Sequence, residues 1–370
     1  PDIQYLFVLE MEPPSDAKKS PDSPEARKAY LEKLSVMYDG MLRRKLSMVW
    51  YKPLMWGDTA FRDMSPYARE TVRLGIEAGK ALGISALYYH LSPFVGLRSD
   101  HPDADPDLLE QKPKARYDHW LQSWSMDEER KAYAAELARW IKETGFTDVG
   151  FHDTDTGGYL NPANWNNRGP YDQKRWGDDY TAATINKFRI FYDAVMKENP
   201  DIRLNFTLYP YTSEIFDPSE KVKSDLQRTL NITPAQLEAY RKRYSDFWTR
   251  FNEAFPKRNV SFAIREPWSA DGEAGLKAFL AMIEGRPLFA WYGLAAAEFF
   301  SNVPSWLGTL HSGSVDDIVF TQNIYVDRGF VPLLSLAMRE YSWNTRAPGA
   351  AKFQSRDRAK MRESAAGDNT

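Results

Sequence analysis

The chain contains no cysteine, which excludes disulfide staples and cysteine-ligated metal centres. Its formal net charge is only -3. No Lys/Arg run is dense enough to form the electrostatic footprint of a nucleic-acid binder. No stretch approaches the roughly 18 apolar residues that a membrane span needs. No G-x-G-x-x-G opens a helical segment, which argues against a dinucleotide cofactor, and no cofactor of another kind is expected. No secretory leader is visible, and Pro1 reads as a mature or trimmed start. The lack of cysteine fits an exported bacterial protein, so the expected location is extracellular or periplasmic, with the cytoplasm as the alternative.

What is present is a chain of 370 residues, 43% of them apolar, enough for one large α/β domain with a sizeable core. Aromatic residues make up 14%, including 12 Trp and 20 Tyr. Their faces suit sugar rings, although large cores use them too.

Strand-like and helix-like segments alternate along the chain. Strand patterns occur at Ile3–Met11, Lys45–Lys52, Ile84–His90, Phe146 onward, Ile202–Leu208, Val260–Ile264 and Leu288–Tyr292. Helical spacing occurs at Glu25–Met37, Pro66–Leu82, Met126–Thr144, Asp178–Glu198, Pro234–Phe255, Gly272–Ile283 and Val331–Tyr341. Ser65-Pro66 and Thr233-Pro234 are N-cap and N1 pairs, and Gly83 and Gly145 close helices. Tyr133, Leu137, Trp140 and Ile141 form the buried stripe of the third helix. Long loops are expected at Phe94–Ser125 and Tyr159–Trp176. An eighth strand has no clear position between Leu294 and Val319. This order argues for parallel βα units, best met by a (β/α)8 TIM-type barrel over residues 1–349 followed by a loosely held polar tail, 350–370. A doubly wound open sheet is the alternative.

The stretch Phe146–Gly158, F-T-D-V-G-F-H-D-T-D-T-G-G, organises the reading. Alternation puts Val149, Phe151, Asp153 and Asp155 on one side, expected to be the inner side of the barrel, apolar at first and acidic at the mouth. His152 has the opposite alternation and is expected to pack behind the strand. Other strands end in Trp50 and Tyr51, Tyr89 and His90, Tyr209 and Tyr211, Glu266 and Trp268, and Trp291 and Tyr292. In a barrel these ends converge. Carboxylates ringed by aromatics suit glycosidic cleavage, in which one acid protonates the leaving oxygen and a carboxylate attacks or stabilises the anomeric centre. Asp153 and Asp155 close together also push one pKa up, as an acid donor needs.

Other readings of the same residues compete. Asp153–Gly158 is also an Asx-rich turn, or a D-x-D-x-G calcium loop lacking its distal Glu. Glu266 could equally hold Arg265, and Asp316 could cap a helix after it. A metal-dependent enzyme would use His90, His152 and the aspartates. A catalytically silent carbohydrate-binding barrel is a further class. No metal site is expected.

The acid pair closing the fourth strand, the aromatic ends of strands five to seven and the late run Glu340-Tyr341-Ser342-Trp343-Asn344 before Ala347-Pro348-Gly349 resemble the barrels of the β-N-acetylhexosaminidase-like glycoside hydrolases, families 20, 84 and 123 and their bacterial relatives. The resemblance implies a retaining hydrolase of a glycan. Asp153 would polarise a 2-acetamido group that acts as internal nucleophile, and Asp155 would be the acid/base. His90, His152, Tyr209, Tyr211, Trp268, Trp291 and Tyr292 would line the sugar pocket. Asp-Thr-Asp departs from the adjacent acids of those families and is closer to the D-x-E of chitinase-like barrels. A second mechanism takes a strand-four Asp as nucleophile and Glu266 as acid/base, as in α-galactosidase-like barrels. The resemblance also implies accessory domains in a longer native chain.

Overall fold

The computed structural model describes residues 4–9, 24–43, 48–51, 66–90, 125, 127–152, 170–207, 212–265, 273–283, 286, 288–292 and 318–322. In chain order these form β1 (Gln4–Leu9), α1 (Pro24–Arg43), β2 (Met48–Tyr51), α2 (Pro66–Lys80), β3 (Ser85–His90), α3 (Asp127–Thr144), β4 (Asp148–His152), α4 (Pro170–Trp176), α5 (Tyr180–Glu198) and β5 (Arg203–Thr207). There follow α6 (Thr212–Ile215), α7 (Glu220–Leu230), α8 (Pro234–Ala254), β6 (Val260–Arg265), α9 (Glu273–Ile283), β7 (Leu288–Tyr292) and β8 (Ile318–Gln322). The eight strands pair in sequence order, all parallel, and β1 pairs with β8 to close a barrel. The chain is therefore a (β/α)8 barrel and not an open sheet.

Local chemistry starts and stops the elements much as the sequence suggests. Thr233 builds a capping box with Gln236: its Oγ1 accepts from the Gln236 N–H at 3.2 Å, and Gln236 Oε1 accepts from the Thr233 N–H at 2.8 Å. Gly145 takes φ +89° between α3 and β4, where a Cβ would meet Lys80 Nζ at 3.3 Å. Three short helices lie where no helix is expected. The end of the expected 159–176 loop forms α4, and α6 and α7 fill the interval before α8. The eighth strand, Ile318–Gln322, straddles the upper limit of the interval given for it. Its identity also removes the capping reading of Asp316, because a strand follows and not a helix. The expected helix at Val331–Tyr341 and the 350–370 tail lie outside the described residues.

The main core lies between the barrel and its helices. Register aligns Phe151, Phe206 and Phe262 across β4, β5 and β6, and all three are buried. Phe151 packs on Phe191 of α5, ring centroids 4.8 Å apart. Phe206 packs on Phe188 of α5 at 4.4 Å and on Phe255 at the end of α8 at 5.4 Å. Phe262 meets Trp248 of α8 edge-on at 4.1 Å. On β3, Tyr88 meets Trp140 of α3 at 4.9 Å. These helices are the outer ring, so the apolar alternation on these strands faces outward.

This corrects the expectation that Val149 and Phe151, and by the same alternation Asp153 and Asp155, face into the barrel: Val149 and Phe151 take the outer face, so alternation along β4 no longer argues for an inner position of the two aspartates, which lie outside the described residues. The pleat is as read, with the two faces exchanged. The inner alternation on β4 is Asp148, Gly150 and His152. On β4, β5 and β6 the large aromatic rings lie in the layer under the helices, and the inner positions beside them hold small or polar residues, Gly150, Asn205 and Ser261. Gly150, Asn205 and Ser261 share one register level, and Asn205 Nδ2 donates to Ser261 Oγ at 2.9 Å.

The N-terminal end of the barrel, opposite the candidate rim, is closed here by an ion pair. Asp148 and Arg203 are register partners at the starts of β4 and β5. Arg203 Nε lies 2.7 Å from Asp148 Oδ1 and Nη2 2.9 Å from Oδ2, a two-pronged contact to which Thr147 Oγ1 adds a bond at 2.6 Å. Burial pushes the Asp148 carboxyl above the ordinary aspartate value, while Arg203 and Thr147 pull against it. Nearby, the buried guanidinium of Arg286 donates to the carbonyls of Phe255 and Val260 at 2.8 and 3.0 Å, tying the α8–β6 turn to the approach to β7.

Two stability predictions follow from this packing. Phe206→Ala should cost about 3–5 kcal/mol in urea unfolding, because four rings surround the space it leaves. Arg203→Met should cost about 3 kcal/mol at pH 7, since it strands a buried carboxylate. A carboxyl whose folded pKa is raised contributes stability below its unfolded pKa and loses it as pH rises through the folded value. The Arg203→Met deficit should therefore shrink below about pH 4, where Asp148 is protonated in both states. A deficit independent of pH would contradict this account of the pair.

Candidate active site

A closed parallel barrel brings all eight strand C-termini to one rim, where barrel enzymes carry their chemistry. The last residues of β3, β4, β5, β6 and β7 are His90, His152, Thr207, Arg265 and Tyr292. Asp153 follows the last residue of β4, and Glu266 follows the last residue of β6. Register links the ends directly: His90 pairs with Phe151, His152 with Thr207, Arg265 with Trp291, and Tyr292 with Gln322.

Of the residues singled out from the sequence, His90, His152, Trp291 and Tyr292 lie on described strands. Asp153, Asp155, Tyr209, Tyr211, Glu266 and Trp268 lie outside the described residues. The barrel thus brings the strand ends together at one rim; Asp153 and Glu266 immediately continue two of those strands in sequence, and Asp155 comes two residues after Asp153.

The register sorts the four strand residues into two pairs. His152 shares the inner alternation with Asp148 and Gly150. Trp291 pairs with Arg265, which shares the alternation of Ser261. His90 falls in the outer alternation with Tyr88, and Tyr292 in the outer alternation opposite Trp291. His152, expected behind the strand, is therefore the histidine at the inner register position. The same logic raises Tyr89, on the inner alternation of β3 with Leu87, above His90. It also adds Arg265, the last inner position of β6. The signal for both was in the sequence, as strand-end residues, but their face depended on which alternation the helices covered.

Beneath the rim the interior is polar on this side. The Asn205–Ser261 bond lies one register level below His152 and Thr207. Asn205 is 4% exposed. Its amide is satisfied within the barrel, so this level serves as a hydrogen-bonded support for the strand ends above it. Among the described residues, no three His, Asp or Glu side chains are grouped as a metal site would require. None of the described helices is long and apolar enough to cross a membrane.

No protein-family model matches the chain, and no curated protein matches it in sequence. Its backbone is similar to that of the β-glycosidase from the hyperthermophile Thermosphaera aggregans, with a TM-score of 0.51 and 10% identity, covering 95% of this chain and 97% of that one. It is similar to an O-GlcNAc hydrolase variant from Thermobaculum terrenum, with a TM-score of 0.50 and 11% identity, covering 88% of this chain and 58% of that one. A sugar phosphate isomerase/epimerase from Parabacteroides distasonis is similar at a TM-score of 0.43 and 10% identity, covering 93% of this chain and 98% of that one. At such identities the likenesses to the β-glycosidase and the O-GlcNAc hydrolase concern the fold alone and agree with the closed (β/α)8 barrel.

Proposed function

We propose that this protein is a retaining glycoside hydrolase acting on a glycan, with Asp153 and Asp155 as its acid pair. The observation that carries the reading is the position of β4. It ends at His152 on the rim of a closed barrel, one residue before Asp153. In this reading Asp155, protonated, donates to the glycosidic oxygen as the bond to the anomeric carbon breaks. Asp153 holds the N–H of a 2-acetamido group, whose carbonyl oxygen attacks the anomeric carbon. Asp155, now a carboxylate, takes a proton from the water that opens the cyclic intermediate. His152, Trp291 and the aromatic residues Tyr209, Tyr211 and Trp268 would bind the sugar. Likeness in backbone to a β-glycosidase and an O-GlcNAc hydrolase is compatible with this assignment. A glycan substrate of this kind fits an extracellular or periplasmic enzyme.

One observation favours a second mechanism within the same class. Glu266 directly continues β6, two strands from β4 on the same rim. A strand-four Asp could then attack the anomeric carbon itself, with Glu266 as acid/base, provided the carboxyls approach to about 5–5.5 Å.

Aryl glycosides with and without a 2-acetamido group separate the two mechanisms. Turnover of 2-acetamido sugars alone, lowered about 10²–10⁴-fold by Asp155→Asn and little by Glu266→Gln, supports substrate assistance. Turnover of plain hexosides, abolished by Glu266→Gln, supports the protein nucleophile. Binding of glycans without turnover of either class would make the barrel a carbohydrate-binding protein. The register makes a further distinction. His152→Ala should lower kcat/KM about tenfold or more, the loss expected of a polar sugar contact, and His90→Ala should change it less than about threefold. The reverse order would refute the assignment of faces at the rim.

A further inference from the structure

Helix α8 stands higher in the ring of helices than α5 beside it. Both follow a strand of the parallel barrel, so both start on the rim side and run away from it. Arg250, near the end of α8, grips Asp179, the N-cap of α5, through two bonds of 2.7 and 3.0 Å. Arg189, in the middle of α5, donates to the carbonyl of Ala254, the last residue of α8, at 2.6 Å. The end of α8 is thus level with the first half of α5. At a rise of about 1.5 Å per residue, the first half of α8 extends beyond the start of α5 on the rim side.

That first half carries two arginines in different situations. Arg241 is fully engaged: it donates to the carbonyls of Ile215 and Asp217 at 2.6 Å each and to Glu238 at 2.8 Å. Arg243 is not. It lies about two turns before Arg250 and therefore on the same side of the helix, the side turned to α5. Its side chain is half-buried, and its Nη1 is buried without a hydrogen-bond acceptor. Among the described residues no carboxylate pairs with it. Its guanidinium lies over the ring of Tyr240, one turn earlier, 5.8 Å from the centroid. That contact orients the cation and leaves its donors unused. Tyr240 is half-buried as well, and burial pushes its phenol above the ordinary value while Arg243 pulls against it.

A buried guanidinium nitrogen that meets no acceptor is a cost to the fold unless a group from outside the fold meets it. The planar fork of an arginine fits a carboxylate or a sulfate through two parallel bonds. An aromatic ring beside it suits the face of a sugar. We propose that Arg243 and Tyr240 form an outlying subsite that holds the anionic substituent, a carboxylate or sulfate, of a glycan chain reaching out from the barrel mouth. The inference rests on the hydrolase reading above and narrows its substrate to an acidic glycan. Because α8 belongs to the outer ring of helices, the unit held there is removed from the bond that is cleaved.

The test is binding to the full chain, which needs no turnover. Chito-oligosaccharides serve as the neutral probe, and the same chains carrying a C6 sulfate or a C6 carboxylate as the acidic ones. By calorimetry the wild type should bind an acidic chain about tenfold or more tighter than the neutral one, and added salt should narrow the gap. Arg243→Met should bring the preference to within about twofold. Its unfolding midpoint should be no lower than that of wild type, because the substitution removes an unpartnered buried donor. Tyr240→Ala should weaken neutral and acidic chains alike, about threefold or more, through loss of the ring. If Arg243→Met does not fold, Arg243→Lys replaces it and should cut the preference severalfold, since a point cation cannot make the two-pronged contact. Equal binding of the chains by the wild type, binding of none, or a preference that survives the Arg243 variant overturns the proposal. So does a preference that falls only in step with the unfolding midpoint, or inorganic sulfate bound at Arg243 with no gain for the acidic chains. Cleavage is scored apart from binding. A wild type that prefers acidic chains and cleaves nothing keeps the subsite and removes the hydrolase reading, whereas cleavage with equal binding does the reverse.

Discussion

The aromatic layer between the barrel and its helices is the constraint on which the rest of the structure depends. Phe151, Phe206 and Phe262 lie side by side in register and are covered by Phe188, Phe191, Trp248 and Phe255. Each ring buries a large apolar area, and together they fix which face of β4, β5 and β6 turns outward. A slip of one residue in β4, β5 or β6 would move its phenylalanine to the inner face and bring Gly150, Asn205 or Ser261 under the helices. Register, and with it the composition of the interior, is thus set from outside.

On β4, β5 and β6 that outer constraint leaves the inner face for small and polar groups. Asp148, buried, and Arg203, part-buried, close one end with a two-pronged pair, and above it Asn205 donates to Ser261, whose hydroxyl donates to the Leu204 carbonyl. Buried ion pairs add little net stability, because desolvation offsets most of the attraction. Their worth here is in specifying register: only the observed alignment of β4 with β5 brings Asp148 opposite Arg203. The opposite end stays available for chemistry, in keeping with the division of a barrel into a stability face and a functional face.

The rim combines rigid strand ends with connections tied back at their far ends. Asp172 and Asp217 accept bonds from elements that are distant in sequence and adjacent in the ring of helices. A site built this way can vary its connections without disturbing the barrel, which is why one fold supports many chemistries.

Much of this was legible in the sequence. Seven of the strands, and helices such as α3 and α8, follow from periodicity, the Thr233-Pro234 start and the glycine stops, because these are local preferences read within one or two turns. The polar strand ends were legible for the same reason. The eighth strand was not, since Ile318–Gln322 is a short apolar run whose neighbours in the barrel, β1 and β7, are distant or separated by a long connection. Nor were α4, α6 and α7, short helices held by contacts such as Asp172 with Ser125 and Arg241 with Ile215. The sequence by itself determined the alternation along β4, the acids that continue it and the parallel order of the units. Only the tertiary structure decided which alternation faces inward, giving that position to His152 and not to Phe151. The physical reason is that a strand's pleat is local, while inside and outside exist only once the sheet has closed and the helices have covered one of its faces.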